Sequence, residues 1–325
     1  MKMRILFVCS GNVKGFEIVP FIKEQGEALK RQGVEVDYFP VIGKGIVGYL
    51  KAGLQLREEL KHKQYDVIHG HFTLSGWAAV LGSRKTPVVL SLMGSDAYGE
   101  YVGENKVIFT SRYLTLLTYM IQPFVKGIIS KSANIEKYVF QKSKSYIIPN
   151  GIDAKKFHPV KGGFRNELNF NSKKKQVLFL GSKKSVRKNI SLVQNAMQYL
   201  NSDEVELINP YPVSHSEVPK YLNSANVIAV CSYMEGSPNV VKEAMACNCP
   251  IVATAIGDVE WVLGDTPGCY LSSFDPKEYA EKLKLALQFS EIHGRTKGEE
   301  RLKELGLDSE TIASRVVEVY KMAIQ

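Results

Sequence analysis

The chain has 325 residues, 45% hydrophobic and 23% charged, an ordinary globular composition with length for about two domains of ~150 residues. Its apolar runs fall far short of the ~20 residues of a membrane span, and the first one stops at Gly11, too short for a signal-peptide core. The net charge of +9 is uneven: residues 1–150 hold 20 Lys and Arg against 12 Asp and Glu, and the remainder 22 against 21. These features predict a cytoplasmic protein whose basic first half suits an anionic membrane surface. Nucleic acid is not expected as a partner, because no basic run is interleaved with aromatics and no nucleic-acid motif occurs.

In the first half, strands are predicted at 5–9, 34–39, 67–69, 88–92, 128–130 and 146–148, with helices between them such as 16–31 and 46–62. A polar, Lys- and Gly-rich stretch at 158–175 reads as a linker. Strands then recur at 177–180, 205–208, 227–230, 251–254 and 269–271, with helices at 190–200, 238–246 and 276–289. Continuous Val/Ile/Leu strands alternating with helices predict parallel sheets covered on both faces. The fold class is therefore α/β. Two tandem Rossmann-like domains are expected, 1–157 and 158–308, with their sheets facing across a cleft. The amphipathic segment 309–325 is expected to pack back on the first domain. The five cysteines, an odd number, lie mostly in apolar settings and suit reduced core thiols. Cys247 and Cys249 have no second pair at metal-site spacing, so no metal ligands are assigned.

The richest stretch is Glu235-Gly-Ser-Pro-Asn-Val-Val-Lys-Glu243, at a strand-loop-helix junction. Ser237 is expected to cap the helix and Pro238 to occupy its first position. The amides of Asn239 and Val240, aided by the helix dipole, favour a phosphate. Two carboxylates beside a phosphate suit a ligand rich in hydroxyls, so the junction reads as a nucleotide-sugar site. A second strand-helix loop, Gly181-Ser-Lys-Lys-Ser-Val-Arg-Lys188, brings four cations able to clamp a diphosphate and stabilise its leaving charge.

The run YMEGSPNVVKEAMACNCPIVATAIGDVEWVL, with DVIHGHFTLSGWAAV, VVLSLMGSD, IIPNGID and FLGSKKSVRKNISLV in the same order, closely resembles the retaining glycosyltransferases of family 4, the group 1 transferases. That resemblance implies the GT-B fold. It implies that Glu243 holds the ribose hydroxyls, that Glu235 holds the donor sugar, and that Gly236 to Val240 lay backbone against sugar and diphosphate. It also implies that Arg187 and Lys188 stabilise the leaving phosphate, and that the turn Gly11 to Gly15 approaches donor phosphate and acceptor. Two positions depart from the family: Ser182 stands where relatives have Arg, leaving Lys183 as the substitute, and Met93 stands where many have a donor-binding His. Ser95 and Asp96 are retained; Asp96 either binds acceptor hydroxyls or caps the following helix. His71, with His69, either contacts the acceptor or is a satisfied, partly buried histidine.

The expected activity is retaining transfer of a hexose or N-acetylhexosamine from a UDP- or GDP-sugar to a hydroxyl of a saccharide or lipid-linked saccharide. No cofactor or metal is expected, because the cations take the metal's role. Two other readings fit parts of the pattern: a GT-B nucleotide-sugar 2-epimerase-like enzyme, and a nucleotide-sugar binding subunit without activity.

Overall fold

The computed structural model describes every residue except 1, 14 and 44, and it falls into two compact units. One unit comprises Met1–Glu100, Ile108–Gly151 and Ser309–Gln325, the other Tyr101–Val107 and Ile152–Asp308. Residues 152–157, expected in the first domain, group with the second. So does the stretch read as a linker, because it is folded: the Arg165 guanidinium donates to the carbonyls of Ser224 and Lys174 and to Asn226. Arginine has donors enough to satisfy several carbonyls at once, which fixes such an irregular segment.

In chain order the elements begin β1 (Arg4–Ser10), α1 (Pro20–Arg31), β2 (Glu35–Val41), α2 (Gly45–Glu59), β3 (Val67–His71), α3 (Thr73–Gly82), β4 (Val88–Leu92) and α4 (Ser95–Tyr98). A short hairpin follows, β5 (Tyr101–Gly103) and β6 (Lys106–Val107), then α5 (Arg112–Ile121), β7 (Gly127–Ser130), α6 (Ala133–Glu136) and β8 (Ser145–Ile147). The second half runs β9 (Lys175–Leu178), α7 (Ile190–Leu200), β10 (Val205–Ile208), α8 (Val218–Ser224), β11 (Val227–Val230) and α9 (Asn239–Ala246). It ends β12 (Ile251–Thr254), α10 (Val259–Leu263), β13 (Cys269–Ser272), α11 (Pro276–His293), α12 (Gly298–Glu304) and α13 (Ser309–Ile324).

The first unit holds a sheet in the order β2-β1-β3-β4-β7-β8, every pair parallel. The second holds β10-β9-β11-β12-β13, again all parallel. Each is a doubly wound sheet whose strand order reverses beside its first strand, where the carboxyl ends of two strands diverge and leave room for a ligand. Helix α13 packs in the first unit, against α1, β3, β4 and β7.

The expected strands appear within a few residues, because their Val, Ile and Leu side chains are buried on both faces: β3, β4, β7, β11 and β12 are buried throughout. In the second unit Val177, Phe179, Val193, Ala229, Val252, Tyr279 and Leu283 form one core cluster. Truncating Leu283 there to Ala would cost about 2–5 kcal/mol. Helix α1 starts at Pro20 rather than residue 16. Val19 before it is extended, at φ −60° and ψ 135°, because a proline ring disfavours helical backbone at the preceding residue.

Candidate functional site

The second unit's strand order reverses between β9 and β11, and the loops leaving these two strands are the two basic and acidic motifs. After β9 the chain turns at Gly181 and forms a 3-10 turn at Val186–Lys188. After β11 it runs through Glu235 into α9. Two backbone-level contacts stitch the loops together: the Tyr233 amide donates to the Arg187 carbonyl at 2.9 Å, and the Cys231 thiol to the Asn189 carbonyl at 3.1 Å. The side chains then meet. Lys188 Nζ lies 2.6 Å from Glu235 Oε1, the Arg187 guanidinium pairs with the same oxygen, and Ser232 Oγ donates to it at 3.1 Å. Burial works to raise the Glu235 pKa, but the Lys188 and Arg187 charges outweigh it and hold the carboxyl below its ordinary range. Thus Glu235, Arg187 and Lys188, assigned to one site from sequence, are one cluster. Opposed charges at a part-exposed strand end can trade partners, because a diphosphate competes for the cations and sugar hydroxyls for the carboxylate.

Helix α9 begins one residue later than expected. Pro238 occupies the cap position at φ −67° and ψ 116°, and Ser237 makes no capping bond. Its hydroxyl is committed elsewhere: it donates to Asp258 Oδ2 at 2.6 Å and accepts from Lys242 Nζ at 2.9 Å. Lys242 is wholly buried and its pKa is pushed down by that burial. The same loop is braced from behind by Gly257, at φ +59°, where a Cβ would collide with the carbonyls of Glu235 and Gly236. Gly236 and Pro238 are buried, while Asn239 and Val240 are half-buried at the helix head.

Glu243 lies on the first turns of α9 and its carboxylate oxygen is 2.9 Å from His215 Nε2. Lys156 Nζ lies 2.6 Å from the other ring nitrogen, Nδ1. An ammonium can only donate, so Nδ1 accepts and Nε2 carries the hydrogen toward Glu243. His215 and Lys156 were not singled out from sequence. No local motif marks them, since they come from loops 28 and 87 residues before Glu243 in the chain. Lys242 did leave a signal: a lysine on an otherwise apolar helix face.

The remaining donor positions lie at the same strand ends. Gly181 is buried against the Phe179 ring, the Ser182 hydroxyl accepts from the Lys184 amide, and Lys183 is exposed. Lys183 lines a pocket of about 610 Å³ together with Glu206, Ile208, Asn209 and Pro210, within the size range of small-molecule sites. Asn209 donates to the Gly181 carbonyl, tying that pocket to the basic loop. The β5–β6 hairpin also rests on the 3-10 turn that carries Arg187; nothing in its sequence announces that placement.

In the first unit the expected residues diverge. Gly15 is exposed in a left-handed turn at φ +86°, and Lys14 lies outside the described residues. Ser95 is half-buried at the head of α4. Asp96 is fully buried, accepting from the amides of Thr73 (3.0 Å), Met93 (3.0 Å) and Gly94 (2.8 Å). Burial raises its pKa against those bonds. The acceptor role for Asp96 is therefore replaced by a structural one: it pins the loop carrying Met93. His71 is also buried, stacked on His69 at 4.1 Å and packed on Phe7 at 4.4 Å. Neither of its ring nitrogens has a hydrogen-bond partner among the described residues. His69 is satisfied by Tyr320 and Ser91. Burial drives both imidazoles well below their ordinary pKa, and His71, expected at the acceptor, is enclosed in the core of the unit.

The cysteines are all free; four are buried, and burial lifts the Cys247 thiol to about 12. Among the described residues no three His, Cys, Asp or Glu side chains gather to hold a metal ion, and no helix is long and apolar enough to cross a membrane.

Comparison with known proteins adds an independent line. Residues 14–156 match the model of Glycosyltransferase Family 4, and residues 171–288 that of Glycosyl transferases group 1. A D-inositol 3-phosphate glycosyltransferase of Kineococcus radiotolerans is 22% identical, over 97% of this chain and 92% of its own. The putative teichuronic acid biosynthesis glycosyltransferase TuaC of Bacillus subtilis is 24% identical over 61% of this chain and 55% of its own. Among solved structures, sucrose-phosphate synthase of Thermosynechococcus elongatus superposes with a TM-score of 0.79 at 18% identity, covering 98% of both chains. Anabaena HepE, solved in complex with UDP-glucose, gives 0.70 at 15% identity over 98% of this chain and 99% of its own. Two parallel-sheet units, the matched strand-end motifs and these likenesses agree: the chain belongs to the group 1 glycosyltransferases of the family 4 type and has the GT-B fold.

Proposed function

We propose that the protein transfers a hexose or N-acetylhexosamine from a UDP- or GDP-sugar to a hydroxyl of a saccharide or lipid-linked saccharide, with retention at the anomeric carbon. The observation that carries this reading is the junction of Glu235 with Arg187 and Lys188 at the strand-order reversal, beside the head of α9. The UDP-glucose complex of HepE favours a uridine donor, and the relative named for teichuronic acid biosynthesis favours a polysaccharide acceptor.

In this reading the diphosphate engages Arg187, Lys188 and the first amides of α9. Glu235 then turns to the donor sugar's hydroxyls. Glu243, oriented by the Lys156–His215 pair, accepts from the ribose hydroxyls. The bond from the anomeric carbon to the phosphate oxygen breaks, and the nucleoside diphosphate leaves with the electron pair. The acceptor oxygen bonds to that carbon on the same face, and its proton passes to the departing phosphate. The protein's part is positioning and electrostatic stabilisation, so no divalent cation is required for turnover. The reading places the enzyme in the cytoplasm, where nucleotide sugars are made.

A thermal-shift panel of UDP- and GDP-sugars tests the donor class, since a ligand that binds only the folded state raises the melting temperature by mass action. One UDP- or GDP-sugar should stand out, and a flat panel contradicts the reading. Turnover of the selected donor with excess chelator separates cation-only catalysis from metal dependence. Retained turnover without any acceptor, giving an epimerised sugar, would favour the 2-epimerase reading.

A further inference from the structure

The first unit carries an unusual face. From the turn at Phe109–Ser111 through α5 to the turn at Gln122–Phe124, five large apolar side chains point to solvent: Phe109 (79% exposed), Tyr113 (45%), Leu116 (59%), Met120 (51%) and Phe124 (61%). Their spacing puts all five within about 80° of an idealised helix circumference at ~100° per residue. Isolated exposed hydrophobics need no explanation, but a continuous stripe does. The stripe also continues sideways. Tyr119 pairs with exposed Phe140 at 6.4 Å, held there because Gln122 bonds the backbone of Tyr138 and Phe140.

Charge along the segment that carries the stripe is almost all of one sign. Residues 108–144 contain six Lys and Arg and one acid. Of the cations, Lys131 is buried; Arg112, Lys126, Lys137 and Lys142 are exposed and Lys144 is half-buried, all on the segment that carries the apolar face. Arg112 lies over the Phe109 ring, and Lys144 reaches the Val125 carbonyl beside Lys126. The lone acid, Glu136, is consumed by Ser130, Ser145 and Lys142.

We propose that this α5 face docks on an anionic lipid bilayer. Phe, Tyr, Leu and Met side chains suit the boundary between headgroups and acyl chains, and flanking lysines suit anionic phosphates. Protein–protein contacts are depleted in lysine, whereas four of these five cations are lysine, which favours lipid over a protein partner. The inference does not depend on the transfer chemistry, since none of these residues belongs to the strand-end cluster of the second unit.

The test is sedimentation of the full chain with vesicles of phosphatidylcholine, with and without phosphatidylglycerol. Two variants are compared, each first checked for an unchanged circular dichroism spectrum and melting temperature: Phe109→Ser/Leu116→Ser/Met120→Ser, and Lys126→Glu/Lys137→Glu/Lys142→Glu. The wild type should bind phosphatidylglycerol vesicles at least tenfold more tightly than phosphatidylcholine alone. The charge variant should lose that preference. The apolar variant should keep only weak binding that salt fully reverses. Wild-type binding to neither vesicle overturns the proposal, as does wild-type binding by both variants. So does a dimer in solution that the apolar variant alone dissociates while vesicle binding is absent.

Discussion

The two units share a doubly wound parallel sheet, yet they treat polar groups at the strand ends in opposite ways. In the first, His69, His71 and Asp96 are sealed inside, and each that is bonded is bonded to its own unit. In the second, Arg187, Lys188, Glu235 and His215 remain part-exposed and Glu243 is buried against His215, each carboxylate matched to a basic group. Topology is common to both and cannot explain the contrast; the side chains at the loops do. Polar groups satisfied by neighbouring amides become structure, whereas opposed side chains held at the surface keep the freedom to exchange partners with a ligand.

That contrast can be broken or sharpened by experiment. The largest effect should follow Glu235→Gln, which keeps the shape and removes the charge between Arg187 and Lys188. Turnover of the preferred donor should drop by about a hundred- to a thousandfold, in the range seen for lost transition-state stabilisers. Initial rates measure it, and a loss below tenfold would detach Glu235 from the chemistry. Asp96→Ala should act on stability instead. It strands three buried amides and should cost the first unit about 3 kcal/mol. Urea unfolding reads this cleanly in a Trp261→Phe background, where Trp77 is the remaining tryptophan and reports the first unit. A cost near zero would return Asp96 to the list of ligand contacts.

The acid response should differ as well. His69 and His71 are held well below 6.5 by burial, so below that pH the unfolded chain binds protons that the folded one does not. Their contribution is intact above pH 6.5 and is lost as pH falls toward the folded values, at up to about 1.4 kcal/mol per pH unit for each histidine. Glu235, depressed below 4.5 by its cations, contributes above 4.5 and loses that contribution only as pH falls through its folded value. Melting followed through Trp77 should therefore weaken between pH 6.5 and 5.5, before the Glu235 contribution is touched; a flat profile there contradicts the buried neutral pair. The smallest effect belongs to His71→Leu. With neither ring nitrogen bonded, the change should lie within about 1 kcal/mol of wild type or stabilise it. A loss of activity with unchanged stability would restore the acceptor role.

The sheets were legible in the sequence because their strands are unbroken runs of Val, Ile and Leu, as in β11 and β12. The donor cluster was legible for a related reason: each motif sits within ten residues of one strand end, so local order brings Arg187, Lys188 and Glu235 to the same edge. What escaped is what depends on distance along the chain. His215 and Lys156 reach Glu243 from separate loops, and the β5–β6 hairpin joins the second unit from within the first half. Ser237 looked like a cap because serine before proline is a good local signal, but Asp258 and Lys242 claim its hydroxyl. Asp96 and His71 looked like ligands because they are polar residues at strand ends, and only packing reveals that they are enclosed.

The central claim is that the strand-end cluster of the second unit binds a nucleotide sugar. Calorimetric titration of the best donor against wild type and Lys188→Met tests it most directly. Wild-type binding that weakens at least tenfold in the variant, with the variant's circular dichroism spectrum unchanged in the absence of donor, is the predicted result. Equal affinity in both proteins, or no binding of any UDP- or GDP-sugar to the wild type, would contradict it.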